Sequence, residues 1–330
     1  MNSVKSHFLR LSTKNNVTKI SKKFLSTIEE QGRRSELFSL EQERQKQNVG
    51  RIEKIEVRYL GQPNDTTLVM NKGLSTPYNC AQHLTLLHCN RSALALVDNH
   101  TPWDMHRPLE DSCTLQLLHF TIADPHLVNK VFWRSCSFML GAVLQECFKD
   151  EAQLQLHSFP SPSVKSGSFV HDIFIKEPSW TPNKDELRTI SAEMIKLAAK
   201  NLKIERLDVS YDLALEIFKT NPYKKEQLPF IKRSSKAGTV TVYRVGNHVD
   251  ISRGPMISST RQLGRCTITS VHRIASENNG ALYRVQGVAL PVGFIINHVA
   301  YGILEDRSKK LNSARFPHEP YEDAIVNMIA

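Results

Sequence analysis

From Ile52 onward apolar and polar positions alternate, with Ile55, Val57 and Tyr59 set against Glu56 and Arg58. That period of two marks a strand with one buried face. Short apolar runs at 68–70, 94–97 and 115–120 repeat the signal between turn residues. Between them, Pro77 to Leu87 reads as a helix that gathers Ala81, Leu84 and Leu87 or His88 on one side. Asp124-Pro125 then interrupts the pattern, and the spacing beyond it turns helical: Phe132, Cys136, Met139 or Leu140, Val143 or Leu144, and Cys147 form one apolar stripe. Phe169 to Ile175 reads as a strand, followed by a helix that Thr181 caps and Pro182 opens, burying Leu187, Ile190, Met194 and Leu197. A second helix starts near Ser210, buries Leu213 and Ile217, and stops at Asn221-Pro222. Val240, Val242 and Val245 alternate toward Gly246-Asn247, a hairpin signal, and Tyr283, Val285, Val288 and Leu290 supply later strand positions. The expected fold class is α+β, with a small unit at 52–122 and a larger one at 123–305.

The flanks differ in texture. Residues 1–28 carry Lys5, Arg10, Lys14, Lys19, Lys22 and Lys23, five serines, and no acid before Glu29. Basic, serine-rich and acid-poor composition is that of a mitochondrial presequence, drawn inward by a potential negative on the matrix side; the alternative is a basic arm that stays attached. Residues 29–51 read as a charged linker or short helix with no core of its own, and 306–330 as a polar tail.

Charge and chemistry narrow the function. Of a formal net charge of +10, half lies in residues 1–48, which leaves the remainder a modest excess suited to phosphate. Its densest part is 219–236, where Lys219, Lys224, Lys225, Lys232, Arg233 and Lys236 face a single acid, Glu226, with Tyr223 and Phe230 interleaved. Cations beside aromatics suit RNA, whose phosphates need charge and whose bases stack; a solvated basic loop is the plainer reading. The richest apolar run, Ala289 to Ile296, is far short of the roughly 20 residues a bilayer span requires. The six cysteines form no CxxC pair and read as reduced, buried thiols, Cys136 among them. No GxxxxGK or GxGxxG is present, so nothing points to ATP or a dinucleotide, and no cofactor is expected. His171, His248, Asp250 and His272 come from separate segments without metal-ligand spacing, so no metal is expected either.

Two segments carry a resemblance. Trp133-Arg134-Ser135-Cys136-Ser137-Phe138-Met139-Leu140-Gly141 and Asp250-Ile251-Ser252-Arg253-Gly254-Pro255-Met256-Ile257 are similar to the HSxAHxLG and DLCRGPHxP stretches of the threonyl-tRNA synthetase editing domain. Lys200-Asn201-Leu202 and Asn221-Pro222-Tyr223 extend the likeness, and Leu94 to Leu118 resembles the small TGS domain that precedes editing in those enzymes. The resemblance implies a β-grasp unit followed by an editing-type α+β unit. It also implies that the reactive His, His, Cys and His positions are here Arg134, Phe138, Ser252 and Met256. Guanidinium, phenyl, hydroxyl and thioether groups do not shuttle protons near neutral pH or assemble a zinc site, so no catalytic residue is expected there. Nothing in the chain resembles the aminoacylating core, and charging of tRNA is not expected.

Local segments such as Ser75-Thr76-Pro77-Tyr78 and Pro102-Trp103-Asp104-Met105 resemble synthetase-derived proteins of the mitochondrial large ribosomal subunit. That likeness implies a non-enzymatic protein of the matrix ribosome, with large-subunit rRNA and neighbouring ribosomal proteins as partners. The alternatives are a free-standing hydrolase of mischarged tRNA and a non-catalytic tRNA-binding protein.

Overall fold

The computed structural model describes residues 26–62, 64–176, 179–235, 237–277 and 280–314. The expected presequence therefore lies outside them except for its last three residues, and so does 315–330 of the expected tail.

The chain opens with helix α1 (Thr27–Gln47), begun by a reciprocal cap between Ser26 and Glu29. Five strands follow: β1 (Lys54–Tyr59), β2 (Thr66–Asn71), β3 (Leu94–Val97), β4 (Thr101–Trp103) and β5 (Cys113–Leu118). They pair in the order β2-β1-β5-β3-β4, with β1 and β5 parallel at the centre and every other pair antiparallel. The predicted alternation in β1 is real, since Ile55, Val57 and Tyr59 are buried and the residues between them exposed. The single helix predicted between β2 and β3 is two, α2 (Pro77–Leu84) and α3 (Leu86–Arg91). Thr85 ends one with an extended backbone and caps the other by accepting the His88 N–H.

Next comes α4 (His126–Cys147), then β6 (Gln155–Ser158), β7 (Phe169–Ile175), α5 (Lys184–Ala199), β8 (Glu205–Val209), α6 (Tyr211–Ile217) and α7 (Pro222–Ser234). Strands β9 (Val240–Val245), β10 (His248–Ile251), β11 (Leu263–Glu277) and β12 (Gly280–Pro291) precede α8 (His298–Ser308). One antiparallel sheet runs β10-β9-β8 and another β11-β12-β7-β6. In the second sheet Cys266 and Ile268 join the core formed with α4 and α5, whereas Thr267 bonds Tyr301 and Glu305 of α8. Being covered on both faces, β12 is buried at almost every position rather than alternately.

Three expectations need correction. The cap of α5 is Asn183, which accepts two backbone N–H groups and is answered by Glu186, rather than Thr181. α6 ends at Ile217, short of the expected stop at Asn221-Pro222, and Pro222 instead opens α7, because a proline at the first helical position loses no hydrogen bond. The stretch expected as a linker or short helix outside any core is a 21-residue helix whose Phe38, fully buried, belongs to the core of β8, β9 and β10. Arg244 lies 4.3 Å above that ring. The polar tail, for which docking and a loose end are both open in the sequence, begins docked: Asn312 is buried and its carbonyl accepts from Arg284 at 2.5 Å.

Candidate functional site

Helix α4 and the segment after β10 meet at the two motif stretches. Arg134 and Phe138, four apart on α4, share a face as the helical repeat requires. Arg134 Nη1 donates to the Pro255 carbonyl at 3.1 Å, and one residue on, Ser135 Oγ accepts the Ile257 N–H at 2.9 Å. Ser252 is nearly buried and its hydroxyl accepts the Gly254 N–H. Met256 is 1% exposed, its N–H held by the buried Asp104 at 2.8 Å. Asp104 also accepts from the Tyr243 hydroxyl and lies 3.5 Å from Arg206. The four positions named by resemblance are thus gathered in one region, and each side chain has a structural engagement.

Phe138 closes the place. Its ring is fully buried, 4.9 Å from the His248 ring and 6.3 Å from Tyr243. Beneath it lies a polar group that sequence reasoning raises only singly: His171, Lys224, His248 and Asp250. Lys224 Nζ meets Asp250 Oδ1 at 2.6 Å, with both side chains almost wholly buried. His171 Nδ1–H donates to the Ser137 carbonyl, which leaves Nε2 as a lone pair; His248 Nδ1–H donates to Gln145 Oε1, with the same result. Both Nε2 atoms and Asp250 Oδ2 are buried without a hydrogen-bond partner. Gln145 Oε1 also accepts from Gln31 at 3.2 Å, so α1 ties into the chamber wall.

Electrostatics follow from burial. Desolvation pulls His248 down to about 3 and His171 down to about 4, so both are neutral at physiological pH. Burial alone would raise the Asp250 carboxyl, but the Lys224 ammonium beside it outweighs that and holds it below the ordinary carboxylate value. Gly141 permits the arrangement, since a Cβ there would stand 2.5 Å from His171 Cε1. His272 lies elsewhere, its Nε2–H donating to the Lys309 carbonyl at 3.0 Å, with the Ser270 hydroxyl at the same distance. Cys136 is fully buried and its thiol is raised well above its ordinary value by that burial. Among the described residues no group of three or more His, Cys, Asp or Glu side chains is arranged for a metal ion, and no helix is long and apolar enough to cross a membrane.

The expected basic surface divides. Lys225, Lys232 and Arg233 are exposed on α7, with Lys225 and Lys232 seven residues and therefore two turns apart. Lys232 sits 4.4 Å above the Tyr211 ring, and Arg233 5.9 Å from that of Phe230, itself 48% exposed. Lys219 is exposed and paired with Glu216. Lys224 must be withdrawn from the set: it is 2% exposed and committed to Asp250, so no phosphate reaches it in this fold. Lys236 lies outside the described residues.

Among known proteins, the chain is 62% identical over 292 residues to the large ribosomal subunit protein mL39 of Drosophila melanogaster, covering 88% of this chain and 87% of that protein. It is 31% identical over 217 residues to the threonine–tRNA ligase of Thermotoga maritima, a match covering 65% of this chain but 31% of the enzyme. The mitochondrial threonine–tRNA ligase of Mus musculus gives 31% over 220 residues, 28% of its length. No protein-family model matches the chain.

Proposed function

The chain belongs to the family of the large ribosomal subunit protein mL39, and from that premise we propose that it is a non-catalytic structural component of the mitochondrial large ribosomal subunit, acting in the matrix. It contacts rRNA and neighbouring ribosomal proteins through surface charge and shape. The observation that carries this reading is the extent of the relationship, 88% of the chain at 62% identity, against synthetase matches confined to under a third of those enzymes.

The internal architecture fits that origin. Residues 52–122 correspond to a TGS-like β-grasp unit, a reading supported by the 2-1-5-3-4 strand order with its central parallel pair. Residues 123–305 correspond to the editing-type unit, in which Arg134, Phe138, Ser252 and Met256 are the degenerate positions. Hydrolysis of mischarged tRNA is disfavoured because the bases this chamber offers, His171, His248 and Asp250, are 0%, 4% and 1% exposed, with the Phe138 ring against His248. The RNA face is the exposed side of α7, with Lys225, Lys232 and Arg233 contacting phosphate and Phe230 offering a stacking surface.

Gradient sedimentation of a mitochondrial matrix extract tests the assignment: the protein should travel with the large subunit in moderate salt. Finding it wholly in the soluble fractions overturns the reading. For the RNA face, replacing Lys225, Lys232 and Arg233 with Ala should flatten the log affinity against log salt slope for rRNA fragments by about 2–3, at roughly 0.7–0.9 for each phosphate left without its cation.

A further inference from the structure

A cavity of about 430 Å³ opens where the C-terminal end of α1, the loop at 73–76 with the first turn of α2, the loop at 106–110, and β8 come together. It lies apart from the α7 face and from the Phe138 chamber, and its volume falls within the range of small-ligand sites. Its walls are pinned by groups that do not themselves need a ligand. Gln45 Nε2 donates to the Asp208 carbonyl at 2.8 Å and Gln42 Nε2 to Glu205 Oε1 at 3.4 Å, fixing α1 against β8.

Charge in the lining is unevenly satisfied. Each of its three carboxylates is already engaged: Glu110 by Arg107 at 2.7 Å, Glu205 by Arg244 at 2.7 Å, and Asp208 by Arg206 at 3.1 Å. Lys46 and Lys203 line the same cavity, both exposed, and neither forms an ion pair among the described residues. Two uncommitted ammonium groups thus remain at the mouth of an otherwise neutralised pocket, the arrangement that favours a phosphate.

The floor supplies the other half of a recognition site. Tyr78 and His106 lie with ring centroids 4.9 Å apart, tilted by 44°. His106 Nε2–H donates to the Ser258 carbonyl at 3.0 Å, so Nδ1 is left as an acceptor. Burial, reinforced by Lys203, holds this imidazole at about 4, so it is an uncharged aromatic surface at neutral pH. An aromatic pair, one ring-nitrogen acceptor and two cations match a base, its hydrogen-bonding edge and its phosphate.

The geometry points to this cavity as the seat of one unpaired ribonucleotide projecting from an RNA strand, its base against Tyr78 and His106 and its phosphate between Lys46 and Lys203. This assignment deepens the RNA-binding reading above, and it can fail without that reading failing. Unlike the sequence-tolerant α7 face, it is a single enclosed nucleotide seat.

The test uses the full chain and a fluorescently labelled single-stranded RNA octamer carrying one 4-thiouridine. The Lys46→Ala/Lys203→Ala double variant should bind the octamer at least about tenfold more weakly, and Tyr78→Leu about fivefold or more, by the usual worth of base stacking. Irradiation should cross-link the RNA to peptides containing Tyr78 or His106, and the cross-link should vanish in the double variant. Both lysines are exposed, so the melting temperature of the double variant should match that of the unaltered protein. Affinities within twofold of the unaltered chain, or cross-links confined to α7, overturn the inference and leave the α7 interface intact. AMP bound as tightly as the octamer would overturn an RNA strand as the source of the nucleotide. Displacement of the octamer by hexaglutamate but not by unlabelled RNA would overturn it in favour of an acidic protein segment.

Discussion

Replacing His248 with Gln probes the closed chamber most directly, because its effect appears in the pH dependence of stability rather than in stability alone. Folded His248 protonates only near about 3, and His171 near about 4, both because burial penalises the imidazolium. In the unfolded chain each protonates near about 6.5. Between those limits the unfolded state binds protons that the folded state does not, so stability rises with pH and is lost as pH falls through this window. Acidification from about pH 7 to about pH 5 should remove roughly 2 kcal/mol per histidine, or about 4 kcal/mol for the pair. Gln at 248 retains a side-chain N–H for Gln145 and does not titrate. Urea unfolding of the two proteins at both pH values should therefore show the variant losing about 2 kcal/mol less than the parent. Carboxylates common to both proteins cancel in that difference. Parallel pH dependences would refute the reasoning, since they would mean that His248 titrates alike in folded and unfolded chains.

Asp250→Ala should cost about 3–5 kcal/mol by stranding the Lys224 ammonium in the interior, while the Lys224→Met/Asp250→Leu double variant should recover much of that loss. Urea titrations of all three check it, and a single-variant cost below about 1 kcal/mol would mean that water reaches the pair. Gly254→Ala should destabilise sharply: its φ of +61° disfavours any side chain, and a Cβ would stand 1.7 Å from the Tyr243 hydroxyl that bonds Asp104. Gly32→Ala, with nothing within 4 Å of its Cβ in the exposed face of α1, should instead stabilise by about 0.5–1 kcal/mol, and thermal melts that move both variants the same way would contradict this contrast.

Much of the scaffold is legible in the sequence because local pattern and final environment agree. Strand β1 alternates and has one wet face; β7 runs over the residues its apolar pattern marks; Gly246 turns the β9–β10 hairpin with a φ of +57°. The misses arise where tertiary contact redefines a residue. Phe38 is a lone aromatic in a polar segment, and only the neighbouring sheet gives it a core to enter. Lys224 reads as a surface cation as long as 219–236 is taken as a run of charge rather than as a helix. Once α7 is placed, Lys224 falls on the same side as Leu228, which is fully buried, four residues on. The convergence of His171, His248 and Asp250 has no sequence spacing at all, since β7 and β10 belong to different sheets. Asn183 does carry a local signal, because Glu186 three residues later completes a reciprocal cap.

On the proposed editing origin, chemistry at the motif site would be lost by two separate physical routes. The first is the residues themselves: the side chains of Arg134, Phe138, Ser252 and Met256 are not proton carriers near neutral pH. Burial then disarms those that remain: a histidine whose conjugate acid forms only near about 3 is too weak a base to take a proton efficiently at neutral pH, where the best general bases titrate near the working pH. Phe138 contributes to both routes, since it cannot carry a proton and its ring lies against the His248 imidazole. Restoring histidine at 138 alone would therefore reopen neither. A return to hydrolysis would require several residues to change together and α1, tied through Gln31 to Gln145 and so to His248, to release the chamber wall.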